Sequence, residues 1–84
     1  MKIGYFADGP WGHLAFKKIV ADKSLEIVFL TVRYDKQDPV LIEMANQYDI
    51  PVIIHKNVNT PEARAEYERF GADIFVSMSF NQFF

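Results

Sequence analysis

The sequence predicts an α/β fold: a three-layer, Rossmann-like sandwich whose four-stranded parallel sheet has the strand order 3-2-1-4. Three observations support this fold class. Short apolar runs alternate along the chain with segments whose apolar residues recur at helical spacing. Turn residues separate these segments, and there is no internal repeat of solenoid length. Half of the 84 residues are hydrophobic, enough for the core of one domain spanning residues 1–84.

The first strand and the first helix flank a loop rich in turn residues. Lys2–Phe6 is almost wholly apolar, as expected for a central strand covered on both faces. Asp8-Gly9-Pro10 ends this strand, and Trp11–Ala21 has the pattern of a surface helix. The residues predicted on the inner face of that helix are Leu14, Ala15, Ile19 and Val20.

The remaining elements continue the alternation of strands and helices. Leu25–Tyr34 is the strongest strand signal, because β-branched and aromatic residues dominate it. Asp38 and Pro39 predict the capped start of a second helix, with Val40, Leu41, Met44 and Ala45 buried. A third strand is predicted at Pro51–Ile54, a third helix from Thr60 to Gly71 and a fourth strand at Asp73–Met78. The third helix has a thin inner face of Ala63, Tyr67 and Phe70.

Composition excludes several classes of function. The formal charge of -2 is spread along the chain without a basic block, so nothing indicates nucleic-acid binding. The absence of cysteine removes disulfides and thiolate metal sites and fits a reducing cytoplasm. No run approaches the roughly 18 apolar residues of a membrane span, and the N-terminus lacks a signal-peptide pattern. A soluble, cytoplasmic domain without a membrane partner is expected.

The predicted strand order brings two segments together as a candidate site. In a doubly wound sheet the crevice lies where the winding reverses, at the carboxyl ends of the first and fourth strands. The segments that meet there are Ala7–His13 and Ser79–Phe84. In the second segment Asn81 and Gln82 stand among Phe80, Phe83 and Phe84, a combination that suits a flat, hydrogen-bonding heterocycle. Burial of these aromatic side chains in the core is the alternative.

The loop after the first strand allows two interpretations. Gly9 and Gly12 let the backbone approach an anionic ligand at a helix N-terminus, or they form an ordinary turn. The spacing is not GxGxxG, and Pro10 removes an N-H that a phosphate cradle would use. Asp35 follows the second strand, as in nucleotide-binding oxidoreductases, but the glycine fingerprint that this class requires is absent.

Two histidines are the remaining polar candidates. His13 lies in the first turn of the first helix and could donate to a substrate or act as a base, or it could be a solvated surface residue. His55 is best explained as a loop residue, and the two do not form a metal motif, so no metal is expected. The charges of Glu62–Glu68 are those of a solvated helix face.

The ordered pattern resembles the N-terminal half of the formyltransferase domain shared by methionyl-tRNA formyltransferase, glycinamide ribonucleotide transformylase and the nucleotide-sugar N-formyltransferases. The stretches that carry the resemblance are IGYFADGPWGHLAFKKI, IVFLTVRYDK, IPVII and GADIFVSMSFNQFF. FADGPWGHLAF and SMSFNQ are most similar to the sugar N-formyltransferases. The resemblance covers essentially all 84 residues as a pattern, without one diagnostic motif.

The resemblance implies transfer of a formyl group from N10-formyltetrahydrofolate to an amine, in this subfamily a nucleotide-linked amino sugar. By position, the resemblance assigns Phe80, Asn81, Gln82, Phe83 and Phe84 to the folate-binding loop. Asp8, Gly9, Trp11 and His13 resemble the loop on the amine-substrate side. No catalytic residue is assigned, because the family's Asn-His-Asp set begins in an N-x-H-x-S-L-L-P segment that these 84 residues lack.

Two further expectations follow from that missing segment. The chain is expected to be inactive alone and to bind no folate by itself. The edge of its fourth strand is expected to be unpaired and to promote self-association. The alternative function is a free-standing Rossmann-like binding or self-assembly module without catalytic activity. The regular alternation of EARAEYERFG also leaves open a truncated or engineered chain.

Overall fold

The computed structural model describes residues 1–80 and shows an α/β domain with a parallel sheet. Its elements in chain order are β1 (Lys2–Ala7), α1 (Gly9–Ala21), β2 (Glu26–Thr31), α2 (Pro39–Gln47), α3 (Pro61–Arg69) and β3 (Ile74–Met78). The strands are ordered β2-β1-β3, and β1 pairs in parallel with both neighbours. Because β1 is central, its residues from Ile3 to Ala7 are all buried.

The prediction of a four-stranded sheet is wrong, because the third predicted strand does not form a full strand. Pro51–Ile54 forms only an isolated parallel bridge, in which Val52 lies beside Leu30. Leu30 donates its N-H to the carbonyl of Pro51 at 2.9 Å, and Ile53 donates to the carbonyl of Leu30 at 2.8 Å. Pro51 has no N-H to extend the ladder, and the chain then leaves towards Val58, which is buried near α3. The sheet of the described residues therefore has three strands in the order 2-1-3.

Two apolar clusters cover opposite faces of the sheet. The first joins α1 and α2 to Ile3, Tyr5 and Ala7 of β1. The second joins α3 to Phe6 and Phe29. A β-bulge at Val28 separates the two pairings of β1 with β2, since Ile3 lies opposite Ile27 whereas Gly4 lies opposite Phe29. The expected three layers, helix on sheet on helix, are confirmed.

Several predicted inner-face positions differ from those observed. Leu14 and Val40 were predicted to be buried but are 51% and 46% exposed, respectively. The main buried side chain of α1 is instead Phe16, which packs against the ring of Tyr5 at 6.2 Å between centroids. Phe16 lies on the same helical face as Gly12. A buried face that includes Trp11 and Leu14 is therefore rotated around the helix by one residue position from the face that is observed to be buried.

The helix termini follow the local sequence. α1 begins at Gly9 rather than Trp11, because proline fits the first turn of a helix. Asp38 caps α2 as predicted, and its side chain accepts hydrogen bonds from the N-H groups of Val40 and Leu41. Thr60 caps α3 in the same way. Within residues 1–80, the helices are too short and too polar to cross a membrane.

Candidate functional site

The carboxyl ends of β1 and β3 lie side by side, as the sequence predicted. Ala7 is paired with Met78, and the N-H of Asp8 donates to the carbonyl of Met78 at 3.1 Å. Ser79 then has a φ of 59°, in the left-handed region, so the chain turns sharply as it leaves β3. The loop after β1 and the segment after β3 therefore share one edge of the sheet.

Asp38 organises the polar side of this edge. Its Oδ1 accepts from the N-H groups of Val40 and Leu41 at 2.9 and 3.2 Å. Its Oδ2 accepts from the N-H of Gly9 at 3.1 Å and lies 2.8 Å from Nε2 of His13. Burial of this carboxyl opposes its ionisation, but the hydrogen bonds from His13, Leu41 and Gly9 together lower the pKa of Asp38 below its ordinary value. One carboxylate thus joins the start of α2 to the start of α1.

The contact with Asp38 fixes the orientation of His13. An ionised carboxylate can only accept, so Nε2 of His13 carries the proton and Nδ1 is left for another partner. The two side chains are 23% and 11% exposed, so the pair is shielded but reachable. The solvated-histidine alternative is therefore wrong: His13 is one half of a histidine-carboxylate pair. Such a pair can orient a ligand or move a proton.

Arg33 brings positive charge to the same edge from the end of β2. Its guanidinium lies 3.7 Å from the carboxylate of Asp8 and donates to Asp35 at 2.7 and 3.0 Å. The hydrogen bond from Arg33 lowers the pKa of Asp35. Arg33 was missed by the sequence analysis, although its position at the carboxyl end of the predicted strand Leu25–Tyr34 was a usable signal.

A shallow pocket of about 260 Å³ lies between these elements. Five of its seven lining residues are polar or charged, and the full lining comprises Asp8, Gly9, Arg33, Lys36, Gln37, Asp38 and Pro39. Gly9 has a φ of +72°, and a Cβ built there meets no atom within 4 Å, so the backbone of the loop is open to this pocket. Its N-H is already bonded to Asp38, which agrees with the absence of a phosphate cradle.

The structure separates Trp11 from the other predicted substrate-side residues. Asp8 and Gly9 line the polar pocket, and His13 reaches the same carboxylate of Asp38. Trp11 is 69% exposed and lines a different, apolar pocket of about 220 Å³ together with Leu14, Ala15, Lys18 and Met78. The loop thus has one polar side and one apolar side.

Of the five residues assigned to the folate side, Phe80 lies within the described part of the chain. Its ring packs edge-on against Phe6 at 5.5 Å between centroids, next to the aromatic cluster under α3. Asn81, Gln82, Phe83 and Phe84 lie outside the described residues. Phe80 therefore packs in the apolar core on the α3 side of the sheet. It is also the residue at which the segment after β3 leaves the sheet.

His55 has a structural partner elsewhere. Its Nε2 lies 2.7 Å from Oε1 of Glu66, and its ring packs edge-on against Tyr67 at 5.8 Å. These contacts tie the loop after the Val52 bridge to α3. Residues 1–80 contain no group of three or more histidine, cysteine or acidic side chains placed to hold a metal ion.

No protein-family model matches this chain, and a comparison with curated proteins finds no significant match.

Proposed function

We propose that this chain is the N-terminal part of a formyltransferase-like domain. Its carboxyl edge would contribute to a site where a formyl group passes from N10-formyltetrahydrofolate to an amine, in a nucleotide-linked amino sugar. One observation carries the proposal: the N-H of Asp8 bonds the carbonyl of Met78 at 3.1 Å. This bond places the loop after β1 next to the segment that leads into Phe80–Phe84, the two segments such a site would require.

The chemistry of the two segments supports different ligands for them. Arg33, Lys36 and Asp38 give the pocket beside Gly9 both signs of charge, which suits a polar, charged acceptor. The segment after β3 is aromatic, with amides at Asn81 and Gln82, which suits a flat heterocycle such as a pterin. A polar acceptor and a folate would thus approach each other along one edge.

The described residues would bind and orient the reactants. Formyl transfer requires attack of an unprotonated amine on the formyl carbon and polar donors for the resulting oxyanion. Within residues 1–80, His13 is held by Asp38 through Nε2, so its Nδ1 is an acceptor that suits the N-H of the acceptor amine and not the oxyanion. We assign it to the acceptor side, as a hydrogen-bonding and positioning group, and assign no residue of the chain to the catalytic set.

A cytoplasmic location belongs to the same proposal, since a chain without cysteine needs no oxidising compartment. The free-standing binding module stays the second candidate. It is favoured by the lack of a family match and differs from the first in what it binds.

The test for the folate is a titration of the 15N-labelled chain with a reduced folate, 5-formyltetrahydrofolate, followed by amide NMR. These residues alone are not expected to hold folate stably, so the test is where weak contact occurs at high folate concentration. Shifts should appear at Asp8–His13 and from Met78 onwards, with a change in Trp11 fluorescence because that side chain adjoins Met78. Amides of Arg64 and Glu68, which line a separate pocket on α3, serve as the internal control. Shifts confined to α3 would contradict the proposal and favour the second candidate.

The test for the acceptor is a titration with a nucleotide-linked amino sugar. Arg33→Ala should weaken binding by about tenfold or more, the expected effect of removing one charged hydrogen-bond donor. Arg64→Ala is the matched control and should leave the affinity unchanged, since Arg64 lies on the other pocket. Equal effects of the two substitutions would argue against an acceptor at Arg33.

A further inference from the structure

The carboxylate of Asp8 is not used by the helix that it precedes. Asp8 is the N-cap residue of α1, yet its side chain makes no capping hydrogen bond. An N-cap side chain accepts from the second or third N-H of the helix, and Pro10 has no N-H to offer at the second position. In α2 the proline stands one position earlier, so Asp38 keeps both donors. The Asp8 carboxylate is therefore left for another partner.

Within residues 1–80, that carboxylate has one distant partner. Its Oδ2 lies 3.7 Å from Nη1 of Arg33, which is longer than a hydrogen bond. Arg33 makes its two hydrogen bonds to Asp35 instead, at 2.7 and 3.0 Å. The Asp8 side chain is only 25% exposed, so it has lost much of its contact with water without gaining a close donor. A ligand that brings such a donor would compensate for this loss.

Charges of opposite sign line different parts of the pocket beside Gly9. Asp8 lines it from the end of β1, and Lys36 lines it from the segment between β2 and α2. The ammonium of Lys36 forms no ion pair with the described residues. The pocket thus offers a hydrogen-bond acceptor at Asp8 and a donor at Lys36. It suits a molecule that carries both an amino group and an anionic group.

The strand order gives these two charges a direction. Lys36 follows β2, and β1 separates β2 from β3 in the sheet. Asp8 adjoins β3, because its N-H donates to the carbonyl of Met78 at 3.1 Å. The Asp8 side of the pocket is therefore the side next to the segment after β3.

We propose that Asp8 binds the amino group of the acceptor and that Lys36 binds its phosphate groups. This assignment rests on the proposed function and adds the orientation of the acceptor, whose amino group faces the segment after β3. A protonated amino group forms a charge-paired hydrogen bond with a carboxylate, stronger than that of a hydroxyl, whereas a phosphate is repelled. The contact is one of binding and precedes the loss of the proton that attack requires. Asp8 thus distinguishes an amino sugar from the same sugar with a hydroxyl group.

The test compares two probes that differ in that one group, UDP-glucosamine and UDP-glucose. Amide NMR titrations of the 84-residue chain at neutral pH should give the lower dissociation constant for UDP-glucosamine. In Asp8→Asn this preference should fall about tenfold or more, the expected effect of losing a hydrogen bond to a charged group. Asp35→Asn is the matched control and should keep the preference, because Asp35 contacts the same Arg33 but is not among the described residues that line the pocket. Lys36→Met should weaken both probes alike.

A second measurement uses the unmodified chain. With 13C labelling, the carboxyl carbon of Asp8 should shift on addition of UDP-glucosamine and much less with UDP-glucose. The carboxyl carbon of Glu68, in the separate pocket on α3, should move with neither. An unchanged preference in Asp8→Asn, an equal response of Asp8 to both probes, or no binding of either probe would overturn the assignment.

These outcomes separate the role of Asp8 from the proposed function. If Arg33→Ala weakens binding but Asp8→Asn keeps the preference, the acceptor site stands and the role of Asp8 is wrong. If the preference depends on Asp8 while the folate titration gives shifts only at α3, formyl transfer is wrong and Asp8 still binds an amino group.

Discussion

Asp38 shows how much of this domain depends on single polar groups. Its carboxylate accepts hydrogen bonds from two amides of its own helix, from Gly9 at the start of α1 and from His13 in the next turn of α1. Its capping role could be predicted, because Asp before Pro at a helix start is a local signal. The pairing with His13 could not, since 25 residues separate the two and only the topology brings them together.

Asp38→Ala should therefore cost more than the loss of a helix cap. We expect the free energy of unfolding to fall by about 1–3 kcal/mol, because a cap and the two tethers to α1 are lost together. Urea unfolding followed by circular dichroism measures this. Asp35→Ala is the control, as Asp35 contacts Arg33 at the surface, and its effect should be clearly smaller. Equal losses would mean that the tethers contribute nothing.

The lowered pKa of Asp38 also predicts a pH dependence. A carboxyl whose folded-state pKa lies below its ordinary value of 3.8 stabilises the fold above that value. The stabilisation is lost as pH falls below 3.8 and through the folded pKa. The measurement compares the free energy of unfolding in urea of the parent chain with that of Asp38→Asn at each pH. Both proteins contain all the other carboxyl groups, so the effects of those groups cancel in the difference. Their difference should shrink below pH 3.8, and a constant difference would contradict this assignment.

At the scale of elements, β1 is held by a close approach that the sequence analysis did not recognise. Gly4 lies within the predicted first strand, and its local sequence gives no sign of this contact. A Cβ built there would overlap the ring of Phe29 and lie 3.0 Å from Phe75. Phe29 has little room to move, because it is stacked on Tyr67 at 5.0 Å and contacts Phe6 at 5.5 Å. The glycine is needed for packing under α3.

Gly4→Ala should destabilise the domain by about 1–3 kcal/mol, the usual cost of overpacking a core. Thermal unfolding gives the readout. Gly71→Asn is a suitable control, because Gly71 has a φ of +69° with open space around it, and asparagine tolerates that conformation. Should Gly4→Ala prove as stable as the parent, the packing of Phe29 against β1 would be wrong.

The short bridge at Val52 is a second feature of the elements that the local sequence does not predict. The apolar residues of Pro51–Ile54 correctly predicted a segment beside β2, but not how far its ladder extends. That extent depends on where the chain must go next, towards Val58 and α3. The positions of β1, β2 and the three helices depended on local patterns and were predicted to within a few residues.

For the whole molecule, the core is closed enough to keep two tyrosines neutral at high pH. Burial raises the pKa of both Tyr5 and Tyr67 to about 12. A raised pKa in the folded state favours folding below the ordinary value of 10.0, and this stability is lost as pH rises from 10.0 towards 12. The loss of stability at alkaline pH, the alkaline limit of the domain, therefore depends on the burial of these two tyrosines in the core.

Tyr67→Phe should accordingly retain more of its stability above pH 10.0 than the parent chain, because one buried ionisable group is gone. The measurement is urea unfolding between pH 9 and 11, normalised to the value at neutral pH for each protein. Parallel losses in the two proteins would show that Tyr67 does not contribute to the alkaline limit.

The shared edge of the two candidate segments depends on the parallel alignment of β1 with β3. The most direct measurement is the pattern of backbone nuclear Overhauser effects in the labelled 84-residue chain. We predict parallel contacts from Ile3 opposite Ile74 to Ala7 opposite Met78, and proximity of the Asp8 amide to Met78. An antiparallel pattern, or no contact between Asp8 and Met78, would contradict the shared edge and the proposed site with it.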